Sequence, residues 1–239
     1  WKMCEVYIER KEYDMFLLLT VSLHVSFKFI PMRNELKMPL IVACIMNNNY
    51  DLGFDTIRDI IHHKKLNTNR LWNTLYVSSL KTDYSRLHKF VIRFLKSHPH
   101  EDRAVMMYAN DSLYAGTYKY ALNDHTILYQ KYKTPLLALL VGLNFLHISC
   151  QKFTTSKHAL VSQTLAFFNE YEILRGEDAS QEVFYNMGRL FHQLQLLPQA
   201  INYYKKALDC APAIENNTMF DLKCDIAYNL HLIYLYSNQ

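Results

Sequence analysis

Apolar residues return every three to four positions through most of this 239-residue chain, the period of helices that bury one stripe. The clearest stretch is 181–212. Phe184, Met187, Phe191 and Leu194 share one stripe with Gly188 among them, and Ala200, Ile201, Tyr204, Ala207 and Leu208 share a second. Pro212, which lacks an amide hydrogen, stops the second helix. The pattern predicts a helix hairpin. Small Gly188 and Ala200 let its two helices approach, while the large side chains fill the space toward neighbouring hairpins.

Weaker copies flank this unit. Residues 103–133 carry Gly116, Tyr118 and Ala121 at the turn and second-helix positions. Residues 69–99 carry Trp72 and Leu75 on a first helix, then Ile92 and Leu95 on a second. Residues 34–65 fit loosely, with Gly53 at the small-residue position and Tyr50 just before it. Residues 135–175 open with Val141, Gly142 and Phe145, but the second helix starts late, after a polar loop at 151–157. Beyond Pro212 a polar loop leads into 222–236, where Tyr228, Asn229, Leu230 and Tyr234 restart the pattern. Residues 5–29 predict one or two further helices. Trp72, Val105 and Ala138 recur every 33 residues, whereas Gly142 and Gly188 stand 46 apart, so one hairpin or its loop is longer.

Unit 181–212 resembles the tetratricopeptide repeat. Phe184, Met187, Gly188, Phe191, Ala200, Tyr204, Ala207 and Pro212 meet that family's bulky-Leu-Gly-Tyr-Ala-Tyr-Ala-Pro signature. The expected fold is therefore all-α, an α-α superhelix of tetratricopeptide-like helical hairpins. About five to six hairpins run over 1–239 as a single continuous array, incomplete at both ends and exposing apolar surface there. Gln195 departs from the pattern by standing where the family has a turn glycine; a left-handed backbone at that point costs glutamine about 1 kcal/mol.

In tetratricopeptide arrays the first helix of each hairpin lines the concave face. On that resemblance the candidate partner-binding residues are Tyr185, Asn186, Arg189, His192 and Gln193, with Glu182 beside them, and Tyr228 and Asn229 on the next helix. Asn186, Arg189 and Asn229 suit a small cluster that holds a peptide carboxylate or backbone amides. The alternative role for the asparagines is helix–helix hydrogen bonding. They resemble the asparagines of chaperone-binding clamps, but Tyr185 and Tyr228 stand where those clamps have lysine.

Composition narrows the remaining choices. Half the residues are apolar, which excludes wholesale disorder, and five glycines are few for folds built on tight turns and phosphate loops. A net charge of +4 is spread without a basic run. Aromatics interleave with lysines at Tyr129, Lys131, Tyr132 and Lys133, a pattern that suits base stacking but at helical spacing suits packing between repeats better. The apolar runs 16–30 and 135–149 reach about 22 Å as helices, against a hydrocarbon core of roughly 30 Å, so no membrane span is expected.

Five cysteines without a CxxC pair argue against a disulfide framework or zinc site and for a reducing compartment; Cys150 and Cys210 read as small core residues. The adjacent His62 and His63 diverge by about 100° on a helix. His98 and His100 flank Pro99, and no HExxH, GxSxG, P-loop or GxGxxG sequence occurs. The carboxylate pairs Glu170/Glu172 and Asp221/Asp225 lie on polar faces. No enzyme, metal or cofactor is expected.

The order PLLALLVGLNFLHISCQKF, KHALVSQTLAFFNEY, QEVFYNMGRLFHQLQLLPQAINYYKKAL, DIAYNLHLIY from 135 onward, preceded by LWNTLY and GTYKYALNDH, is more specific than any single repeat. It resembles the tetratricopeptide-repeat subunits of RNA polymerase III general transcription factor IIIC, in the C-terminal part of their array, over roughly residues 35–239. That resemblance implies a nuclear scaffold with the other transcription factor IIIC subunits and transcription factor IIIB components as partners. It implies contact with DNA only indirectly, through the complex. The competing readings are a peptide receptor of the co-chaperone type and a nucleic-acid-binding helical repeat.

Overall fold

A computed structural model describes residues 2–26, 34–62, 69–81, 84–214 and 220–237. Residues 27–30 of one expected segment, 63–65 of another and 215–219 of the loop after Pro212 lie outside these. Among the described residues the regular structure is helical: α1 Lys2–Glu9, α2 Tyr13–Ser26, α3 Asn34–Met46, α4 Tyr50–His62, α5 Asn69–Lys81, α6 Tyr84–Ser97, α7 Asp102–Tyr114, α8 Tyr118–Tyr132, α9 Pro135–Ser149, α10 Lys157–Arg175, a 3-10 turn at Glu177–Ala179, α11 Ser180–Gln193, α12 Leu197–Asp209 and α13 Lys223–Tyr236. The chain falls into two compact units, Trp1–Tyr108 and Ala109–Gln239.

Four hairpin turns share one geometry. Lys11, Asn48, Gly116 and Gln195 each have positive φ, at 59°, 54°, 80° and 61°. After each, the next amide reaches back five residues: Glu12 to Tyr7, Asn49 to Cys44, Thr117 to Ser112 and Leu196 to Phe191, at 2.8–2.9 Å. This double-bonded helix ending satisfies carbonyls that the last turn leaves open. Asn48 and Gly116 stand two 34-residue tetratricopeptide periods apart. The helices α5, α7 and α9 begin at 69, 102 and 135, which places Trp72, Val105 and Ala138 at equivalent positions as the spacing predicts.

In the first unit Trp72 is the centre of packing. It meets Phe94 edge-on at 5.3 Å and Phe90 at 6.2 Å. Phe54, Ile57 and Ile61 of α4 join Leu71 and Leu75 of α5 and Leu87 and Val91 of α6 in the same core. The buried face of α6 is thus set by Leu87, Phe90, Val91 and Phe94, while the expected Ile92 and Leu95 are half-buried, because a strip one position earlier faces Trp72. Cys4, Phe16, Leu36, Leu40, Ala43 and Cys44 form a second cluster. A Cβ on Gly53 of α4 would lie 3.3 Å from the Cys44 Cβ of α3, so this glycine admits the close approach of that hairpin.

The second unit repeats the device with aromatics. Gly142 of α9 receives the ring of Phe168 from α10, and Gly188 of α11 receives the ring of Tyr204 from α12. Ala200, Tyr204 and Ala207 are fully buried with Ile226 of α13; Phe184 and Phe191 pack half-buried against them, and Met187 joins Leu146, Phe168 and Leu190. Ala121 is buried at the place Ala200 takes, five residues beyond its turn. Pro212 follows the end of α12 by three residues. The extra length between Gly142 and Gly188 goes into the 150–156 loop and the 19-residue α10, which starts at Lys157, the last residue of the expected loop. Cys150 is exposed and Cys210 half-buried, contrary to the core role expected of them: both cap helix C-termini, where chain direction changes, and the buried cysteines are Cys4 and Cys44.

Candidate partner-binding face

Helix α11 presents Tyr185, Arg189, His192 and Gln193 on successive turns because Gln181, Val183, Met187, Gly188 and Leu190 take its buried side. Tyr185 is half-buried, tilted against Tyr204 with ring centres 6.1 Å apart. The exposed Arg189 guanidinium lies 5.9 Å over the Tyr185 ring. Gln193 donates to His147 Nδ1 at 3.2 Å, and His147 stacks on Tyr118 at 4.8 Å with the rings 10° from parallel. Burial, then the charge of Arg189, lowers the His147 pKa. His192 stands edge-on to Tyr204 at 6.2 Å, its pKa lowered by burial. These residues form one aromatic and cationic patch in which histidines stay neutral at physiological pH.

The asparagines face inward instead. Asn186 Nδ2 donates to the Tyr171 hydroxyl at 3.0 Å, and Asn229 Nδ2 donates to the Tyr185 hydroxyl at 3.3 Å. Each thereby ties its helix to a preceding one. The expected cluster of Asn186, Arg189 and Asn229 is not assembled by hydrogen bonds among the three. Tyr228 is exposed on α13.

Sequence reasoning placed Glu182 on the open face, yet its carboxylate is engaged. Tyr171, 1% exposed, donates to Oε1 at 2.7 Å, and Arg175 holds Oε2 at 2.9 Å. Burial pushes the Glu182 carboxyl up, but the hydrogen bonds from Arg175 and Tyr171 outweigh it and leave the pKa below its ordinary value. Burial, then the Glu182 bond, raises the Tyr171 pKa. Gln181 is equally committed: it donates to Asp221 at 3.1 Å and accepts from the Leu222 amide at 3.1 Å, latching α11 to the start of α13.

A second buried polar chain was missed altogether. His125 is fully buried on α8, between Asn110 at 3.1 Å and Asn144 at 2.9 Å. Burial lowers its pKa to about 4, so it is neutral, and Asn144 donating to Nδ1 leaves the proton on Nε2, facing Asn110. Asn144 donates also to the Leu140 carbonyl at 2.7 Å, while its own Oδ1 has no partner. His125 stands nine residues beyond the turn at Gly116, as Tyr204 stands beyond Gln195, and only that repeat register marks it as a core position.

His63 lies outside the described residues. No group of three or more His, Cys, Asp or Glu converges on a metal-sized site among the described residues, and no described helix is long and apolar enough to cross a membrane.

No family model matches the chain. It is 34% identical over 206 residues to general transcription factor 3C polypeptide 3 of Homo sapiens, a match covering 84% of this chain and 23% of that protein. It is 31% identical over 116 residues to transcription factor tau subunit sfc4 of Schizosaccharomyces pombe, covering 43% of this chain and 12% of the relative. It is 34% identical over 104 residues to the transcription factor tau 131 kDa subunit of Saccharomyces cerevisiae, covering 42% of this chain and 10% of that subunit. Among solved structures, the crystal structure of the APC/C hetero-tetramer Cut9-Hcn1 aligns over 99% of this chain and 49% of that one, at 12% identity and a TM-score of 0.36, a level that does not define a shared fold. The chain is a homologue of these general transcription factor 3C and tau subunits, spanning 10–23% of their lengths.

Proposed function

We propose that this chain is a partner-binding segment of a transcription factor IIIC subunit, holding the complex together and helping it recruit transcription factor IIIB for RNA polymerase III initiation in the nucleus. The observation that carries this reading is the 34% identity to the human subunit across 84% of the chain. The geometry supports it. Paired helices with glycine-to-ring contacts make a stiff support, and stiffness lets a surface bind with less loss of conformational entropy on docking. On that support Tyr185, Arg189 and Tyr228 present aromatic and guanidinium groups, the residue types that dominate protein interfaces. DNA is contacted through sister subunits.

The engagement of both asparagines with tyrosine hydroxyls weighs against a chaperone-type clamp. The deciding experiment is affinity isolation of the full-length protein, followed by identification of its companions. Recovery of the other transcription factor IIIC subunits is the expected result; isolation alone, or with chaperones only, would sink the proposal.

A further inference from the structure

From 125 to 169 the chain runs for 45 residues without a single carboxylate, while Lys131, Lys133, Lys152 and Lys157 lie within it. One of these, Lys152, lies at the turn edge of the α9–α10 hairpin. There the 150–156 loop and the start of α8 bound a cleft of roughly 630 Å³. Ile148, buried, and Leu160, half-buried, give it apolar lining; Lys119 and Lys152, both exposed, supply charge. No carboxylate pairs with either lysine among the described residues. Phe153 lines the same cleft at 90% exposure, with the Lys152 ammonium 5.8 Å from its ring.

This exposure is not a result of a slack loop. The Thr154 hydroxyl donates to the Ile148 carbonyl at 2.7 Å, and the Thr154 amide donates to the Gln151 carbonyl at 3.3 Å, so the turn carrying Phe153 is tied to α9. A phenylalanine in water forgoes its burial free energy, which a partner that covers it recovers. Unpaired lysines beside it favour a negative partner, and a neighbouring carboxylate-free stretch places no competing anion in the sequence nearby.

We infer that this turn-edge cleft is a second docking surface, fitted to an acidic peptide segment that inserts an apolar side chain between Lys119 and Lys152 and against Phe153. The inference rests on the protein-binding reading above and assigns it a surface built from different residues than the α11 patch. A concave cleft with apolar lining suits a peptide side chain better than the convex phosphate ridge of a duplex. A single nucleic-acid strand is the rival occupant.

The test is fluorescence anisotropy with the whole chain. The probes are a labelled short peptide alternating Glu with Phe or Leu, the same peptide with Gln for Glu, and a labelled oligothymidylate. The acidic peptide is expected to bind with an affinity that falls with salt, and to weaken about tenfold in Lys119→Ala/Lys152→Ala and again in Phe153→Ala. The Gln peptide should bind less tightly by a similar factor. Acidic-peptide binding unchanged by these substitutions, or absent in the parent chain, overturns the inference; so does preferential binding of oligothymidylate that the same substitutions abolish. An Arg189→Ala variant run alongside separates the two claims: weakening there alone removes the turn-edge cleft and leaves the protein-binding reading standing. Failure of that broader reading shows instead in the companions of the isolated full-length protein.

Discussion

Gly188 and Tyr204 occupy the same space: a Cβ on the glycine would sit 2.6 Å from both Cδ1 and Cε1 of the tyrosine ring. The ring is fully buried, so it has no room to withdraw. Alanine favours a helix over glycine by about 1 kcal/mol, but overpacking a filled core costs about 1–3 kcal/mol, and here the second effect wins. Gly188→Ala should therefore lower stability by about 1 kcal/mol, as should Gly142→Ala, whose Cβ would lie 2.8 Å from Phe168. Urea unfolding monitored by circular dichroism measures both. A midpoint that rises for either variant contradicts this account.

Gln195 carries a φ of 61° at a turn where the equivalent residue two hairpins earlier is Gly116. Its side chain returns only a long hydrogen bond, 3.4 Å to the His192 carbonyl. Gln195→Gly should raise stability by about 1 kcal/mol, because glycine adopts this backbone without strain while the flanking bonds stay in place. The reverse change, Gly116→Gln, should cost a similar amount. Thermal denaturation of the pair of variants checks the sign of each.

His125 links stability to pH. Its folded pKa of about 4 lies below the ordinary 6.5, so below pH 6.5 the unfolded chain takes up a proton that the folded chain refuses. Its contribution is whole above pH 6.5, declines as pH falls, and is gone below pH 4; the full difference is about 3 kcal/mol. His125→Phe, which matches the aromatic at the equivalent place in the next hairpins, should flatten the stability profile between pH 6.5 and 4. It also leaves Asn110 and Asn144 short of a partner, so its stability at pH 8 should be no higher than the parent's. An unchanged slope in that window would disprove the neutral buried histidine.

Tyr171→Phe removes one hydroxyl but disconnects two groups, the donor amide of Asn186 and the acceptor oxygen of Glu182. The expected loss is about 2 kcal/mol, the range for a buried hydrogen bond to a charged partner. Arg189→Ala removes a charge seated over an exposed edge and should leave the unfolding midpoint within about 0.5 kcal/mol of the parent's. Affinity for companions should follow the opposite order, falling with Arg189→Ala while Tyr171→Phe binds as the parent does below its melting temperature. Co-precipitation of the two variants compares them directly.

The helices, their pairing into hairpins and the small residues at the closest approaches were legible in the chain itself. Periodicity reports which side of a helix is apolar, Gly188, Gly142 and Ala200 each mark a close approach, and repeat register rather than residue type marks the turn at Gln195. The roles of the polar residues were decided by folding. Asn186 and Glu182 look like surface groups on one helix and become partners of Tyr171 on another; His125 resembles any soluble histidine until Asn110 and Asn144 close around it. Apolar burial follows from local spacing because it needs only a side to face. A hydrogen bond needs a named atom at about 3 Å, and which atom arrives there is set by how separate helices cross.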